Sequence, residues 1–223
     1  MRLFFLDATA LPARLPSPHP HLLVRLKRRL LIAALACTTL GALPGAACAQ
    51  TGAGDDTALM NLIAQASQRI MLADIVARYK WEHHQSVTDP AREQALLGAV
   101  ARQAPAIGVD PQLARTFFSD QIEANKLVQQ ALLDGWRLAP PAPAAASPDL
   151  STGTRPQFDH LTDTLLGGLA RVDALRHTDD CPVRLAHSLA EWKTLRSMDS
   201  LHAQALTRAF AHLCSKGGVG AVS

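Results

Sequence analysis

No stretch of this 223-residue chain alternates polar and apolar side chains at period two, so nothing in it asks for a half-buried strand. No segment recurs at a fixed period, which excludes a repeat architecture. There is no Gly-rich phosphate loop and no dinucleotide fingerprint, so nucleotide chemistry has no visible seat. A nucleophile elbow of the G-x-S-x-G kind is also missing, although Ser and Thr are plentiful. His187 and Glu191 are four apart, but no third metal ligand is evident, and a surface pair is the simpler account. His83 and His84 are adjacent and point apart on a helix, so they chelate poorly. Aromatic residues make up only 4% of the chain, against 48% hydrophobic residues overall. The length suits one domain once a leader is removed.

The leader is legible. Arg25, Lys27, Arg28 and Arg29 form a basic n-region, and the apolar stretch 30–43 is too short for a comfortable membrane span. Ala47-Cys48-Ala49 then offers small residues to a signal peptidase. Residues 1–49 are therefore expected to be a signal peptide cleaved before Gln50. Residues 50–216 would form the folded domain and 217–223 a flexible tail. Cys48 raises a lipoprotein alternative, but Gly45 stands where a lipobox wants a bulky aliphatic residue. The expected location is the periplasm or outside the cell, with no membrane attachment after cleavage.

Removing the leader changes the charge. The whole chain has 22 Lys/Arg and 19 Asp/Glu. Residues 1–49 hold six of the basic residues and one acidic residue, Asp7, which leaves 16 against 18, or −2. Nothing there asks for nucleic acid. Cys37 and Cys48 leave with the leader, while Cys181 and Cys214 stay. In an exported chain those two read as one disulfide, against the alternative of two buried thiols.

The remainder reads as helices. Leu59, Leu62, Ile63, Ala66, Ile70, Ala73 and Ala77 recur at three- and four-residue steps, one face of a helix over about 55–84. Asp89-Pro90 and Asp110-Pro111 each pair an N-cap with Pro at the first helical position. The helix after Asp89 stops before Pro105 and Gly108. The helix after Asp110 fades near Gly135 and Trp136. A Pro/Ala-rich crossover over 139–148 follows, and then helical stretches over about 158–176, 182–196 and 198–213. The expected fold is all-α: a single-domain bundle of about six helices. Its site would lie among the three long N-terminal helices and the C-terminal ones. Such a bundle allows a monomer or a homodimer.

Three spaced pairs carry the chemistry. Arg69 and Lys80 are eleven apart, about three full turns, so they share a face beside the apolar stripe. Snorkelling explains one such cation, but two in register narrow that account. Asp89 and Arg92 are three apart. Asp89 is a good N-cap in its own right. Arg92, in a first turn, gains nothing from the helix dipole. Asn125 and Gln129 are four apart in a long helix, where Asn competes for backbone bonds. Cations and neutral amides with a single carboxylate suit a small dianionic ligand. A non-catalytic helical protein that binds a small dicarboxylate would use the same residues.

The runs RIMLADIVARYKW, TDPAREQALL and FFSDQIEANKLVQQALLDGW together resemble the secreted, periplasmic subclass of the all-helical chorismate mutases. The similarity extends from about Leu59 to Cys214. It implies rearrangement of chorismate to prephenate, with chorismate as substrate and no cofactor or metal. It further implies that Arg69 and Arg92 contact substrate carboxylates or their surroundings. Lys80 would reach the ether oxygen and a carboxylate, Gln129 would be the second donor to that oxygen, and Asp89 would lie near the substrate hydroxyl. Asn125 stands where relatives often have a small hydroxyl residue. A disulfide in the C-terminal helices is common in the subclass, at the place of Cys181 and Cys214. One departure stands out. Relatives can carry a further arginine early in the helix after the crossover. Here Thr164 occupies that position, and the nearest arginines are Arg155 and Arg171.

Overall fold

The computed structural model describes residues 50–139 and 150–217. The expected leader, nearly all of the Pro/Ala-rich crossover, and the tail beyond Gly217 lie outside the described residues. Every regular element among the described residues is helical.

Helices α1 (Gln50–Met71) and α2 (Ala73–Glu82) cover the run expected as one helix. All seven residues of the apolar stripe are fully buried. The break falls at Leu72, whose ψ is −14°, with no Gly or Pro to mark it. On either side of it the chain serves different partners: α1 packs on α5 and α7, and α2 packs on α4. Packing here overrides local propensity.

Helices α3 (Pro90–Gln103) and α4 (Pro111–Leu138) begin as their caps predict. Asp89 Oδ1 accepts from the Arg92 backbone N–H at 3.1 Å, and Asp110 Oδ1 from that of Leu113 at 2.8 Å. Such caps typically contribute about 1 kcal/mol each. Between the two helices a 3-10 turn over Ala104–Ile107 ends on Gly108 at φ 75°, a conformation open to glycine at little cost. Helix α4 does not fade at Gly135 but runs on to Leu138. Trp136 meets Trp81 of α2 edge to face at 5.8 Å, which gives this last turn something to pack on.

After a single π turn at Leu150–Thr154 come α5 (Arg155–Arg171), α6 (Asp173–Arg176), α7 (Cys181–Leu195) and α8 (Ser200–Arg208). Six expected runs become eight helices because two are interrupted, at Leu72 and at Val172. The last run, expected over 198–213, is helical only to Arg208 and then continues as turns. In these turns the Phe210 N–H donates to Thr207 O at 3.2 Å and that of Leu213 to Phe210 O at 3.3 Å.

The core gathers around α1. The fully buried rings of Phe117, Phe118 and Phe210 sit edge to face, with Phe117 5.7 Å from each of the others. Helices α1 and α5 approach so closely that a Cβ on Gly168 would lie 2.6 Å from Leu62 Cδ1. The Cys181–Cys214 disulfide forms, with Cα atoms 5.9 Å apart, and ties the start of α7 to the C-terminal segment. Two buried side chains of α4 hold the same segment. Gln121 Nε2 donates to Ala209 O at 2.8 Å, and Asp120 Oδ2 accepts from the His212 backbone N–H at 3.0 Å.

Candidate active site

Three cations, one each from α1, α2 and α3, come near enough to one another to interact electrostatically. Arg69, in the last turn of α1, is buried. Its Nη1 donates to Phe158 O at 3.4 Å and Thr162 Oγ1 at 3.3 Å on α5, and its guanidinium lies 4.7 Å from the Phe158 ring centroid. Burial, then the neighbouring Arg92, lower its pKa to about 10, while Asp159 opposes them. At neutral pH it is still a cation.

Lys80, near the end of α2, is half-buried and donates from Nζ to Val87 O at 2.6 Å. Burial pulls its pKa below the ordinary lysine value, Asp89 and Glu93 oppose that, and Arg92 and Lys126 add to it. Arg92 is thus near enough to depress both Arg69 and Lys80. It is exposed, and its guanidinium has no hydrogen-bond or ion-pair partner among the described residues. Asp89 is also exposed and spends one oxygen on its cap.

The amides come from α4, which packs on α2 and α3. Asn125 is buried and turns its Nδ2 back onto Gln121 O of its own helix at 3.2 Å, leaving Oδ1 unpartnered. Gln129, one turn on, is 5% exposed; its Oε1 is buried without a partner, and its Nε2 donates to no described residue. Such a group ordinarily costs about 1–3 kcal/mol to bury unpaired. A ligand donor would satisfy Oε1, and Nε2 is left to donate to a ligand acceptor.

Two features escaped the sequence. Phe158 and Thr162 support Arg69 from 89 and 93 residues away, and no local pattern signals such a contact. Glu93 reaches back to the Asp89 backbone N–H at 3.2 Å and pairs with Lys126 of α4 at 3.6 Å. It thereby braces the helix start that carries Arg92. His187 and Glu191, weighed as a metal pair, are both exposed on α7. A shallow cavity of about 300 Å³, walled by Val87, Leu127, Lys126 and Arg208, contains none of the expected site residues.

Comparison with known proteins decides the family. The family described as "Chorismate mutase type II" matches residues 56–130. A secreted chorismate mutase of Mycolicibacterium smegmatis is 32% identical over 180 residues, spanning 81% of this chain and 99% of that one. The chain belongs to the chorismate mutase family. The secreted chorismate mutase of Mycobacterium tuberculosis is 28% identical over 70% of this chain and 78% of its own. Among solved structures, a chorismate mutase from Burkholderia thailandensis shares 52% identity and superposes with a TM-score of 0.69, over 71% of this chain and 99% of that one.

The position where the family resemblance leads one to expect a further arginine lies on α5. Thr164 offers no charge, and its hydroxyl donates to Leu161 O of its own helix at 3.1 Å. The two arginines near it are far from equivalent. Arg155 begins α5, one turn before Phe158, where Arg69 docks. Arg171 ends it, nine residues beyond Thr162, or about 13 Å along the axis.

Proposed function

We propose that this chorismate mutase rearranges chorismate to prephenate by selecting one substrate conformer and stabilising one oxygen. Residues 69, 80, 89, 92, 125 and 129 would form the site. The observation that carries the reading is Gln129: a buried side chain whose Nε2 donates to no described residue, on a helix packed against the two that carry Lys80 and Arg92.

The reaction is pericyclic. One C–O bond breaks as one C–C bond forms inside a single molecule, and no proton has to move. The protein's task is to hold a flexible dianion in a compact chair. Arg69 and Arg92 can each pair with a carboxylate, and Arg155 is the arginine of α5 best placed to assist. Fixing that geometry removes part of the entropic barrier. Negative charge then grows on the ether oxygen as its bond lengthens. Lys80 and Gln129 are donors set in advance for that charge, in a partly dry site, so they favour the transition state over the ground state. Asp89 would meet the substrate hydroxyl, and Asn125 would contact the substrate beside Gln129.

Residues 1–49 then act as the export leader, and residues 50–216 as the catalytic domain. The test is direct. Residues 50–223 are incubated with chorismate, and its ultraviolet absorbance is followed against the uncatalysed rate. Accelerated loss with prephenate as product supports the proposal. Binding without turnover would leave a dicarboxylate-binding protein instead.

A further inference from the structure

Arg69 has two edges with which it could grip a carboxylate: the end formed by Nη1 and Nη2, and the side formed by Nε and Nη2. The structure treats the two differently. Nη1 is engaged by α5, through Phe158 O and Thr162 Oγ1. Nε is buried and has no partner. The Phe158 ring lies against the guanidinium at 4.7 Å and limits its rotation. Thr162 is itself buried, and its hydroxyl donates to Phe158 O at 2.8 Å. That bond spends the hydroxyl hydrogen, so its oxygen faces Arg69 as an acceptor only.

We infer that Thr162 and Phe158 are positioning residues that hold Arg69 so that its Nε/Nη2 edge receives a substrate carboxylate side-on. Helix α5 thus contributes a platform at the point where it lacks the further arginine. Nη1, one of the two nitrogens of the end-on edge, is already engaged by protein, and a buried Nε–H without a partner is costly until a ligand oxygen reaches it. This inference rests on the site proposed above, with Arg69 as a carboxylate ligand.

The test compares Thr162→Val with wild type. The two side chains have nearly the same shape, but valine offers no acceptor. With the guanidinium free to turn, KM for chorismate should rise about fivefold or more while kcat changes less, because a carboxylate contact is made in both ground and transition states. Thr162→Ser keeps the acceptor and should restore KM. In an Arg69→Lys background, Thr162→Val should add little, since the edge it orients is gone. A folded Thr162→Val enzyme with unchanged KM overturns the inference, and so does a full additive effect in the Arg69→Lys background. If Thr162→Val does not fold, Phe158→Leu decides by the same KM criterion. If the wild-type protein does not turn over chorismate at all, the proposed activity fails, a result distinct from an unaffected Thr162→Val variant.

Discussion

Exchanging Gln129 for Glu separates the neutral-donor mechanism from its rivals. Gln129→Glu keeps the side chain's shape, so at 5% exposure it opens no cavity and overpacks nothing. What changes is chemistry. A glutamine donates a hydrogen bond at any ordinary pH, whereas a glutamate donates only when protonated. The wild-type rate should therefore stay level from pH 5 to 7.5. The variant should lose activity as its carboxyl ionises, because an anion then faces an oxygen that is itself becoming negative. Losing one such donor costs about 2.7–4 kcal/mol, and each 1.36 kcal/mol is tenfold in rate. The loss at pH 7.5 should thus be about 100- to 1,000-fold, with partial recovery on acidification. The assay is the initial rate of chorismate disappearance across that range, with circular dichroism to show that the helices persist. A steep fall in the wild-type rate between pH 5 and 7.5, with the fold intact, would refute the reasoning. So would a variant as fast as wild type at pH 7.5.

Lys80→Ala and Arg92→Ala should each lower kcat/KM at least about a hundredfold while the fold survives. Near-normal turnover in either folded variant would remove that residue from the site. On the alkaline side, burial lowers the Lys80 pKa, so activity should decline as Lys80 loses its proton below pH 10.5. The sign for stability is opposite. The folded state gives up this proton before the unfolded state does, so in that window Lys80 makes stability rise with pH. Rates measured to pH 10.5 beside melting curves would show activity falling without a matching contribution to melting from Lys80. Opening the disulfide by Cys181→Ser with Cys214→Ser should cost about 3–4 kcal/mol by the chain-entropy argument for a separation of 33 residues. Denaturant midpoints of the two forms would read that cost directly.

The sequence carried the helices because their signals are local. The stripe from Leu59 to Ala77 has a period of 3.6, and both Asp-Pro pairs announce a helix start with side chains that cap it. The breaks at Leu72 and Val172 were not legible, since neither is marked by Gly or Pro, and the first separates helices that pack against different partners. The cations were visible in part. Arg69 and Lys80 stood out by register, and Arg92 by a first-turn position that its helix does not reward. What no spacing could reveal is that Arg92 lies near both, or that Phe158 and Thr162 take up one nitrogen of Arg69. The contacts of Phe158 and Thr162 with Arg69 span some 90 residues and depend on how α5 returns against α1.

That return also bears on the position of α5 where a further arginine was expected. A guanidinium on α5 beside Arg69 would add a fourth cation to a cluster in which Arg92 already depresses Arg69 and Lys80. Helix α5 instead presents a hydroxyl, a carbonyl and an aromatic face to Arg69 at the same turn. These neutral groups orient the cation without repelling it. On the proposed roles, the second carboxylate then falls to Arg92 and to whatever Arg155 can add from one turn away. Substrate affinity should accordingly depend on Arg92 more than in an enzyme with four convergent cations. The donors proposed for the ether oxygen, Lys80 and Gln129, lie on α2 and α4 and not on α5. On the proposed roles, an α5 without an arginine beside Arg69 is therefore compatible with an intact chemical step, because Lys80 and Gln129, the donors proposed for the breaking bond, stand on α2 and α4.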